Sequence, residues 1–310
     1  MGRAAQTKAQ RKLPFTVEQK SRNIHRVLWN IDTTPANWVG WVLLRGDAHH
    51  DNPHSDHAMQ KRHLDEVVRR YGMWLDVGDL FCAMGGKYDP RANKHGTTRP
   101  EHAMANDYFD SLVRHNADFI APYARHCIAI GFGNHETAVK KRHETDLTER
   151  LCERVRTKTN VNLTAGGYGG WVHFVIQRGE QRTPLSLKYF HGSGGGGMMS
   201  FDTLRARRQA SYIPDADVIV CGHVHERWAL SVPRERLSTE RGVYRVILDE
   251  QKHVRTGTYK DEYGDGYDGY HIERGGPPKP IGAMWMKISL GWDKDAGKVT
   301  RVVTSFEEAS

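Results

Sequence analysis

Residues 127–138, CIAIGFGNHETA, begin as an unbroken apolar run and end abruptly in small and polar residues. A continuous apolar run of this length is typical of a strand that is buried on both faces of a sheet. The strand is followed by Gly133, Asn134, His135 and Glu136, which bring an amide, an imidazole and a carboxylate to one strand end. Two interpretations remain open at this point: a polar turn before a helix, or functional groups delivered to a site.

Four other predicted strands end in a similar way. Glycine stands beside Asp or His in segments 46–49 (GDAH), 78–79 (GD), 191–192 (HG) and 222–225 (GHVH). In α/β sheets, ligands bind outside the carboxyl ends of the strands. We therefore expect the polar groups of all five segments to converge.

The order of elements along the chain predicts the fold class. Apolar runs alternate with helical spacing in the first half, whereas strand-like segments follow one another closely in the second half. This pattern predicts an α/β (α+β) protein in which two mixed β-sheets pack together with helices outside. We expect a basic N-terminal arm over 1–35 and a single domain over 36–310, with 250–282 as a long surface excursion.

Composition indicates which kinds of partner and cellular location to expect. The 310 residues carry a formal net charge of +8, which favours acidic partners such as nucleic acid. No apolar run approaches the roughly 18 residues that span a membrane, and the N-terminus lacks the apolar core of a secretory signal. The four cysteines form no CxxC pair, so we expect buried, reduced thiols and a cytoplasmic location.

The strand-end residues have the donor types of a metal site. Carboxylate oxygens, an amide oxygen and neutral imidazoles together suit first-row ions such as Mn, Fe or Zn. Residues i and i+2 of a strand point the same way, so we expect Asp47 and His49 to bind one ion together. The same spacing places the side chains of His223 and His225 on one side of the chain. The flanking glycines allow the backbone to pack closely around such a site.

The order of the motifs D-x-H, GD, GNHE, H and GHxH resembles that of the calcineurin-like metallophosphoesterase superfamily, over about residues 40–228. The resemblance implies a dinuclear centre in which a metal-activated hydroxide attacks a phosphoester. It assigns one ion to Asp47, His49 and His225, the other to Asn134, His191 and His223, and a bridging role to Asp79. His135 matches the residue that contacts the scissile phosphate and protonates the leaving oxygen. We therefore predict a four-layer αββα sandwich holding two divalent ions, with Mn as the first choice and Fe, Zn or Ni as alternatives.

Finer details of the motifs bear on the substrate. GDLF (78–81) and GHVHE (222–226) resemble nucleases of the Mre11 type, whereas GDAHHDNPHSD (46–56) and HGSGGGG (191–197) resemble phage and prophage metallophosphoesterases. These features favour a phosphodiesterase or nuclease that acts on DNA or RNA. The alternatives are a phosphomonoesterase acting on a nucleotide, small molecule or phosphoprotein, and a binding scaffold without catalysis.

Several residues keep two interpretations. Glu136 is either a helix cap or an acceptor for a ligand imidazole. The Gly-rich run after His191 is either a flap or a phosphate cradle, although the lysine of a P-loop is missing. We expect the extra histidines near the first motif to be exposed to solvent, with substrate contact as the alternative for the first two; they are His50, His54, His57 and His63. Basic clusters at 140–142 and 205–208 are either solvated helix faces or contacts to a phosphate backbone.

Overall fold

Strand pairing organises the chain into two mixed sheets. The computed structural model describes residues 12–31, 37–90, 97–194, 203–239, 242–264, 270–273, 275–293 and 298–310. Residues 1–11 and 32–35 of the predicted basic arm, residues 195–197 of the Gly-rich run, and residues 265–269 and 274 of the predicted excursion lie outside these residues.

The described strands are β1 (Phe15–Ser21), β2 (Ile24–Asn30), β3 (Val39–Arg45), β4 (Met73–Asp76), β5 (Cys127–Ile130), β6 (Gly169–Arg178), β7 (Gln181–Phe190), β8 (Val218–Cys221), β9 (Arg227–Ser238), β10 (Arg245–Thr256), β11 (Ala283–Asp293) and β12 (Lys298–Ala309). The described α-helices are α1 (His57–Arg69), α2 (Pro100–Ala103), α3 (Tyr108–Ile120), α4 (Asn134–His143), α5 (Leu147–Thr159), α6 (Thr203–Tyr212) and α7 (Tyr270–Glu273), and a 3-10 helix covers Ala121–His126.

A large sheet of seven strands has the order β1-β2-β6-β7-β8-β10-β9, and a small sheet of five has the order β12-β11-β3-β4-β5. Both are mixed: β3, β4 and β5 are parallel, whereas β11 and β12 are antiparallel. In the large sheet, β7, β8 and β10 are parallel, and the β9–β10 pair is antiparallel. The predicted pair of mixed sheets with helices outside is confirmed.

The layers follow from the alternation of side chains along the strands. Val42 and Leu44 of β3 belong to the core between the sheets, together with Phe174 of β6 and Val220 of β8. Leu43, which points the other way, belongs to a second core beneath α1, α3 and α5. On the outer face of the large sheet, Gln209 of α6 donates a hydrogen bond to the Cys221 sulfur (3.5 Å). The order of layers is therefore helices, small sheet, large sheet, helix.

The N-terminal segment differs from the prediction of an arm over 1–35. Residues 15–30 form β1 and β2, and β2 pairs in parallel with β6. The sequence conceals these strands because β1 is an edge strand whose residues are mostly polar and exposed. In β2, His25, Val27 and Trp29 alternate inward and are buried.

The excursion predicted over 250–282 is also shorter than expected. Residues 250–256 belong to β10, which pairs with β8 inside the large sheet. Thr258 and Tyr259 are fully buried beside the first motif, because Tyr259 N and Thr258 Oγ1 both donate to the Asp47 carbonyl oxygen (3.1 and 2.9 Å). Among the described helices, none has both the length and the apolar character needed to cross a membrane.

Candidate metal centre

The seven predicted ligands come together at one edge of the sandwich. The small sheet contributes Asp47 and His49 after β3, Asp79 after β4, and Asn134, which begins α4 shortly after β5. The large sheet contributes His191 after β7, and His223 and His225 after β8. Convergence follows from the parallel strands in each sheet, whose carboxyl ends meet at the same edge.

The first group is formed by Asp47, His49 and His225, whose donor atoms lie within 4.8 Å of one another. The His49 Nε2 and His225 Nε2 atoms face each other at 3.4 Å, and His225 Nε2 lies 3.4 Å from Asp47 Oδ1. Asp47 and His49 are buried, whereas the His225 side chain is 11% exposed. The first group is thus a buried cluster with one edge open to solvent.

The second group is formed by Asp79, His191 and His223, also within 4.8 Å of one another. His191 Nε2 lies 3.2 Å from Asp79 Oδ2. The Asn134 side-chain oxygen lies 3.1 Å from His191 Nε2 and 2.7 Å from His223 Nδ1. Asn134 therefore lies with the second group.

The two groups are adjacent. Asp47 Oδ2 accepts a hydrogen bond from the backbone nitrogen of His223 (2.8 Å), which joins the first group to the second. His49 and His135 pack edge to face with their ring centres 4.9 Å apart. The arrangement is one continuous cluster of donors with two centres.

Five of the seven predicted ligands have left-handed backbone conformations. The φ angles are 51° for Asp47, 41° for His49, 54° for Asp79, 75° for His223 and 57° for His225. Asp47, His49, His223 and His225 therefore lie beyond the strands rather than in extended backbone, and the prediction that strand alternation orients each pair is wrong. Non-glycine residues in this region are strained, and such strain collects at functional sites.

Two glycines allow the carboxylates to approach the backbone closely. A Cβ atom on Gly133 would lie 1.9 Å from Asp79 Oδ1, and one on Gly222 would lie 2.4 Å from Asp47 Oδ2. Any larger residue would displace the carboxylate. Gly133 of the GNHE motif is thus required by its contact with Asp79 of the GD motif, and Gly222 of the GHVH motif by its contact with Asp47 of the GDAH motif.

The charges of the cluster call for a cation. Burial by itself would lower the pKa of His191, but the carboxylates of Asp79, Asp47 and Glu136 outweigh it and raise the pKa to about 10. Burial lowers the pKa of His49 well below its usual value, with His135 adding to the effect, and burial also lowers the pKa of His223. The imidazoles of His49 and His223 are therefore neutral, and neutral imidazoles next to buried carboxylates are the donors that a divalent first-row ion prefers.

A buried carboxylate oxygen that accepts no hydrogen bond from any described residue supports the same fit. Asp47 Oδ1 is buried and accepts no hydrogen bond from the part of the chain that the structure describes. A buried carboxylate oxygen without a donor is costly unless a cation lies nearby. The residues present therefore fit a metal ion at the first group.

His135 lies beside both groups. Its ring Nδ1 is 2.5 Å from the Cys82 carbonyl oxygen, which can only accept, so Nδ1 carries the hydrogen. Its Nε2 lies 3.8 Å from Asp79 Oδ2, and its side chain is 12% exposed. Nε2 is consequently the ring atom that is able to exchange a proton at the edge of the cluster.

Glu136 is a cap and also ties two motifs together. Its carboxylate accepts hydrogen bonds from the backbone nitrogens of Gly133 (2.7 Å), Asp79 (3.1 Å) and Phe81 (2.9 Å). The first bond caps α4, and the other two hold the loop after β4. The alternative in which Glu136 accepts from a ligand imidazole does not match these contacts.

Asp51 has a similar role that the sequence analysis missed. Its two carboxylate oxygens accept from the backbone nitrogens of Cys82 (2.6 Å) and Ala83 (2.8 Å), so it joins the loops after β3 and β4. The sequence carries no signal for this role, because the partners of Asp51 are backbone nitrogens.

Comparisons with known proteins find matches among solved structures. No protein-family model matches the sequence, and no curated protein matches it. Among solved structures, a conserved Streptococcus pneumoniae protein described as a predicted phosphoesterase is 10% identical, with 87% of this chain and 98% of that chain covered and a TM-score of 0.31. Vps29 complexed with zinc from Entamoeba histolytica is 13% identical, with 87% and 99% covered and a TM-score of 0.33. A Mycoplasma pneumoniae phosphatase is 10% identical, with 87% and 93% covered and a TM-score of 0.31. Likeness at this level assigns neither activity nor substrate to this chain.

The extra histidines differ from their prediction. His50 and His63 are buried, and His54 and His57 are half-buried, so the expectation of solvent exposure is wrong for all four. His63 Nδ1 bonds to the Tyr259 hydroxyl (2.8 Å), and the His50 ring stacks on His57. Burial follows because α1 and α3 pack over the loop that contains His50, which the sequence pattern does not reveal. All four cysteines are free and buried, as predicted.

Proposed function

We propose that this chain is a metal-dependent phosphoester hydrolase with a dinuclear centre. The observation that carries the proposal is the pair of adjacent donor groups, each combining buried carboxylate and imidazole donors at the same edge of the sandwich. The proposed ligands are Asp47, His49, Asp79, Asn134, His191, His223 and His225.

Divalent ions, when bound, lower the pKa of a coordinated water and neutralise charge on a phosphoryl group. The chain's own part is to hold the donors in place before substrate arrives. Glu136 and Asp51 fix the loops that carry Asp79 and His49, and Thr258 and Tyr259 fix the carbonyl of Asp47. Such a prearranged site reduces the reorganisation needed during the reaction.

His135 is the proposed general acid. The Cys82 carbonyl anchors Nδ1–H, so the protonated imidazole presents its second proton at Nε2, on the partly exposed side of the cluster. A phosphoester's leaving oxygen needs a proton as its bond to phosphorus breaks, and a positioned imidazole typically contributes 10²–10⁴-fold to such a step.

A phosphodiester, in DNA or RNA, is the proposed substrate class. Arg205 of α6 donates to the Ser193 carbonyl oxygen, two residues after His191, so the start of this basic helix borders the centre. Arg207 and Arg208 continue the positive charge along α6, and the whole chain carries +8. Positive charge beside a phosphoester site favours a polyanionic substrate.

The first experiment compares two chromogenic substrates with Mn²⁺ added to metal-free protein. We expect bis-p-nitrophenyl phosphate to be hydrolysed faster than p-nitrophenyl phosphate, and His135→Ala to lower kcat by roughly 10²–10⁴-fold. His173→Ala, which removes an exposed imidazole on β6, is the matched control and should leave the rate unchanged. The opposite substrate ranking would indicate a phosphomonoesterase. Absence of metal-dependent turnover on either substrate would refute the enzyme and leave the binding scaffold.

A second experiment tests the nucleic-acid substrate. Binding to single- and double-stranded DNA should weaken steeply as salt rises, since the contacts would release counterions. Arg207→Ala should weaken binding and reduce the salt dependence. Affinity that does not change with salt would contradict a nucleic-acid substrate.

A further inference from the structure

A second cluster of histidines lies apart from the candidate centre. His50 follows β3, His57 begins α1, His102 lies on α2 and His115 lies on α3. The rings of His50 and His57 stack with centres 3.7 Å apart, and the His115 ring lies 5.2 Å from His50 and 5.8 Å from His57. One ring nitrogen from each of His50, His57 and His115 lies within 4.8 Å of the others.

The protonation of His50 can be worked out from its neighbours. Its Nδ1 lies 3.2 Å from the side-chain oxygen of Gln60. The Gln60 amide nitrogen donates to the Ala48 carbonyl (3.3 Å) and the Ser55 hydroxyl (2.8 Å), so the other end of the amide is the oxygen. An oxygen accepts, and His50 Nδ1 therefore carries the hydrogen, which leaves the lone pair on Nε2. This Nε2 is buried and has no hydrogen-bond partner among the described residues.

His57 is held in a comparable way. Its Nε2 lies 2.5 Å from the His50 carbonyl oxygen, so Nε2 donates and Nδ1 has the lone pair. Metal-bound histidines usually donate their second ring N–H to a carbonyl or carboxylate, which fixes the tautomer and the ring orientation. His50 and His57 both show this arrangement.

The remaining side of the cluster opens to solvent. His57 and His115 line a surface pocket together with Lys61, Asp118 and Phe119. Burial lowers the pKa of His57 to about 4 and lowers that of His115 as well. An ion can thus reach His57 and His115 from solvent through this pocket, with the buried ring of His50 stacked behind His57.

The two clusters differ in their donors and face different parts of the molecule. His49 lies with Asp47 and His225, whereas the next residue, His50, packs against His57 and Phe119 (ring centres 4.3 Å apart). The candidate centre mixes oxygen and nitrogen donors, but this second cluster offers imidazole nitrogens. Imidazole suits Zn, Cu and Ni better than the harder ions that carboxylates prefer.

We propose that His50, His57 and His115 form an additional binding site for one divalent transition-metal ion such as Zn²⁺, separate from the dinuclear centre. The open coordination position faces the pocket, and His102, whose ring lies 5.0 Å from His115, is the neighbouring imidazole. Zn–N bonds of about 2.0–2.1 Å require the three nitrogens to move together by roughly 1 Å, with the stacked rings of His50 and His57 tilting apart. Because His50 adjoins His49, occupancy of this site would act directly on the loop that carries the first donor group.

The test counts zinc in variants that separate the two sites. Protein stripped of metal is titrated with Zn²⁺ against a chromogenic chelator, and bound zinc is measured by elemental analysis. In an Asp79→Asn/His225→Ala background, which disables the dinuclear centre, we expect one zinc equivalent to remain. Adding His115→Ala should abolish it or weaken it at least tenfold, whereas adding His173→Ala should leave it intact. His57→Gln provides a second, conservative variant, and circular dichroism checks that each variant folds.

Each outcome decides between the sites. If His115→Ala and His57→Gln retain the same zinc equivalent in that background, the additional site is refuted. If the background variant binds no zinc while the wild type binds two equivalents, the dinuclear centre stands and the additional site fails. If the background retains one equivalent that depends on His115 but Mn²⁺ supports no turnover in the wild type, the additional site stands and the proposed function fails.

Discussion

Gly222→Ala tests the candidate centre with one added methyl group. The new Cβ would lie 2.4 Å from Asp47 Oδ2, whereas an ordinary contact is 3.4 Å or more. The carboxylate must therefore move by roughly 1 Å, several times the ~0.2 Å within which metal–ligand distances are normally held. The backbone of Gly222 is outside the left-handed region, so alanine is conformationally acceptable there. The new Cβ would also approach Val77 Cγ2 at 3.2 Å, but its shortest contact, and hence the main effect, is at Asp47.

We expect metal affinity to fall by about 10–100-fold, which corresponds to roughly 1.4–2.8 kcal/mol. The bond from the His223 backbone nitrogen to Asp47 Oδ2 should weaken at the same time. The assay is isothermal titration of metal-free protein with Mn²⁺, combined with thermal unfolding of the same samples.

Gly179→Ala is the matched control. Gly179 has no atom within 4 Å of an added Cβ, but its φ is +55°. Alanine there should cost about 1 kcal/mol of stability and leave metal affinity unchanged. If Gly222→Ala binds Mn²⁺ as tightly as the wild type while remaining folded, Asp47 is not a metal ligand.

Three further predictions concern stability. Asp76→Asn should lower the free energy of unfolding in urea by roughly 3–5 kcal/mol, because it removes the ion-pair partner of the buried Arg45 guanidinium, 2.8 Å away. Asp65→Asn, at an exposed ion pair, should cost under about 1 kcal/mol. Equal losses in the two variants would contradict this reasoning. Burial lowers the pKa of His25 to about 4, so the stabilisation by neutral His25 is present above its unfolded pKa near 6.5 and is lost as pH falls towards 4. Over that pH range the free energy of unfolding of the wild type should fall by up to about 3 kcal/mol more than that of His25→Gln. Equal pH slopes for the two proteins would refute this assignment. His225→Gly should be about 1 kcal/mol more stable than His225→Ala in thermal unfolding, because only glycine adopts a φ of 57° without strain, and the reverse order would argue against strain at this position.

The sequence predicted the architecture wherever burial on both faces made a strand's sequence uniformly apolar. β3, β4 and β5 are of this kind, and so is β8. β1 was not predicted because an edge strand needs few apolar residues, and its pairing with β2 depends on the tertiary fold rather than on local sequence. The convergence of strand ends was predictable because parallel strands share an edge.

The detailed geometry of the site was not predictable. The left-handed conformations of Asp47 and His225 are imposed by the loops packed around them, whereas local sequence preference favours extended backbone. The partners of Asp51 and Glu136 are backbone nitrogens, which every residue has, so no side-chain pattern indicates them. The burial of His50 likewise depends on where Phe119 of α3 packs.

Each donor group contains residues that follow strands of both sheets. In the first, Asp47 and His49 come from the small sheet and His225 from the large one; in the second, Asp79 comes from the small sheet and His191 from the large one. Ions held there would cross-link the two sheets, joining for example His49 to His225, which are 176 residues apart, in a chain whose four cysteines are all free. Cross-links that close long loops restrict the unfolded chain most. The half-life of this protein during heating or proteolysis should therefore increase with the concentration of available metal. A shortage of metal would then lower the amount of folded protein as well as its activity.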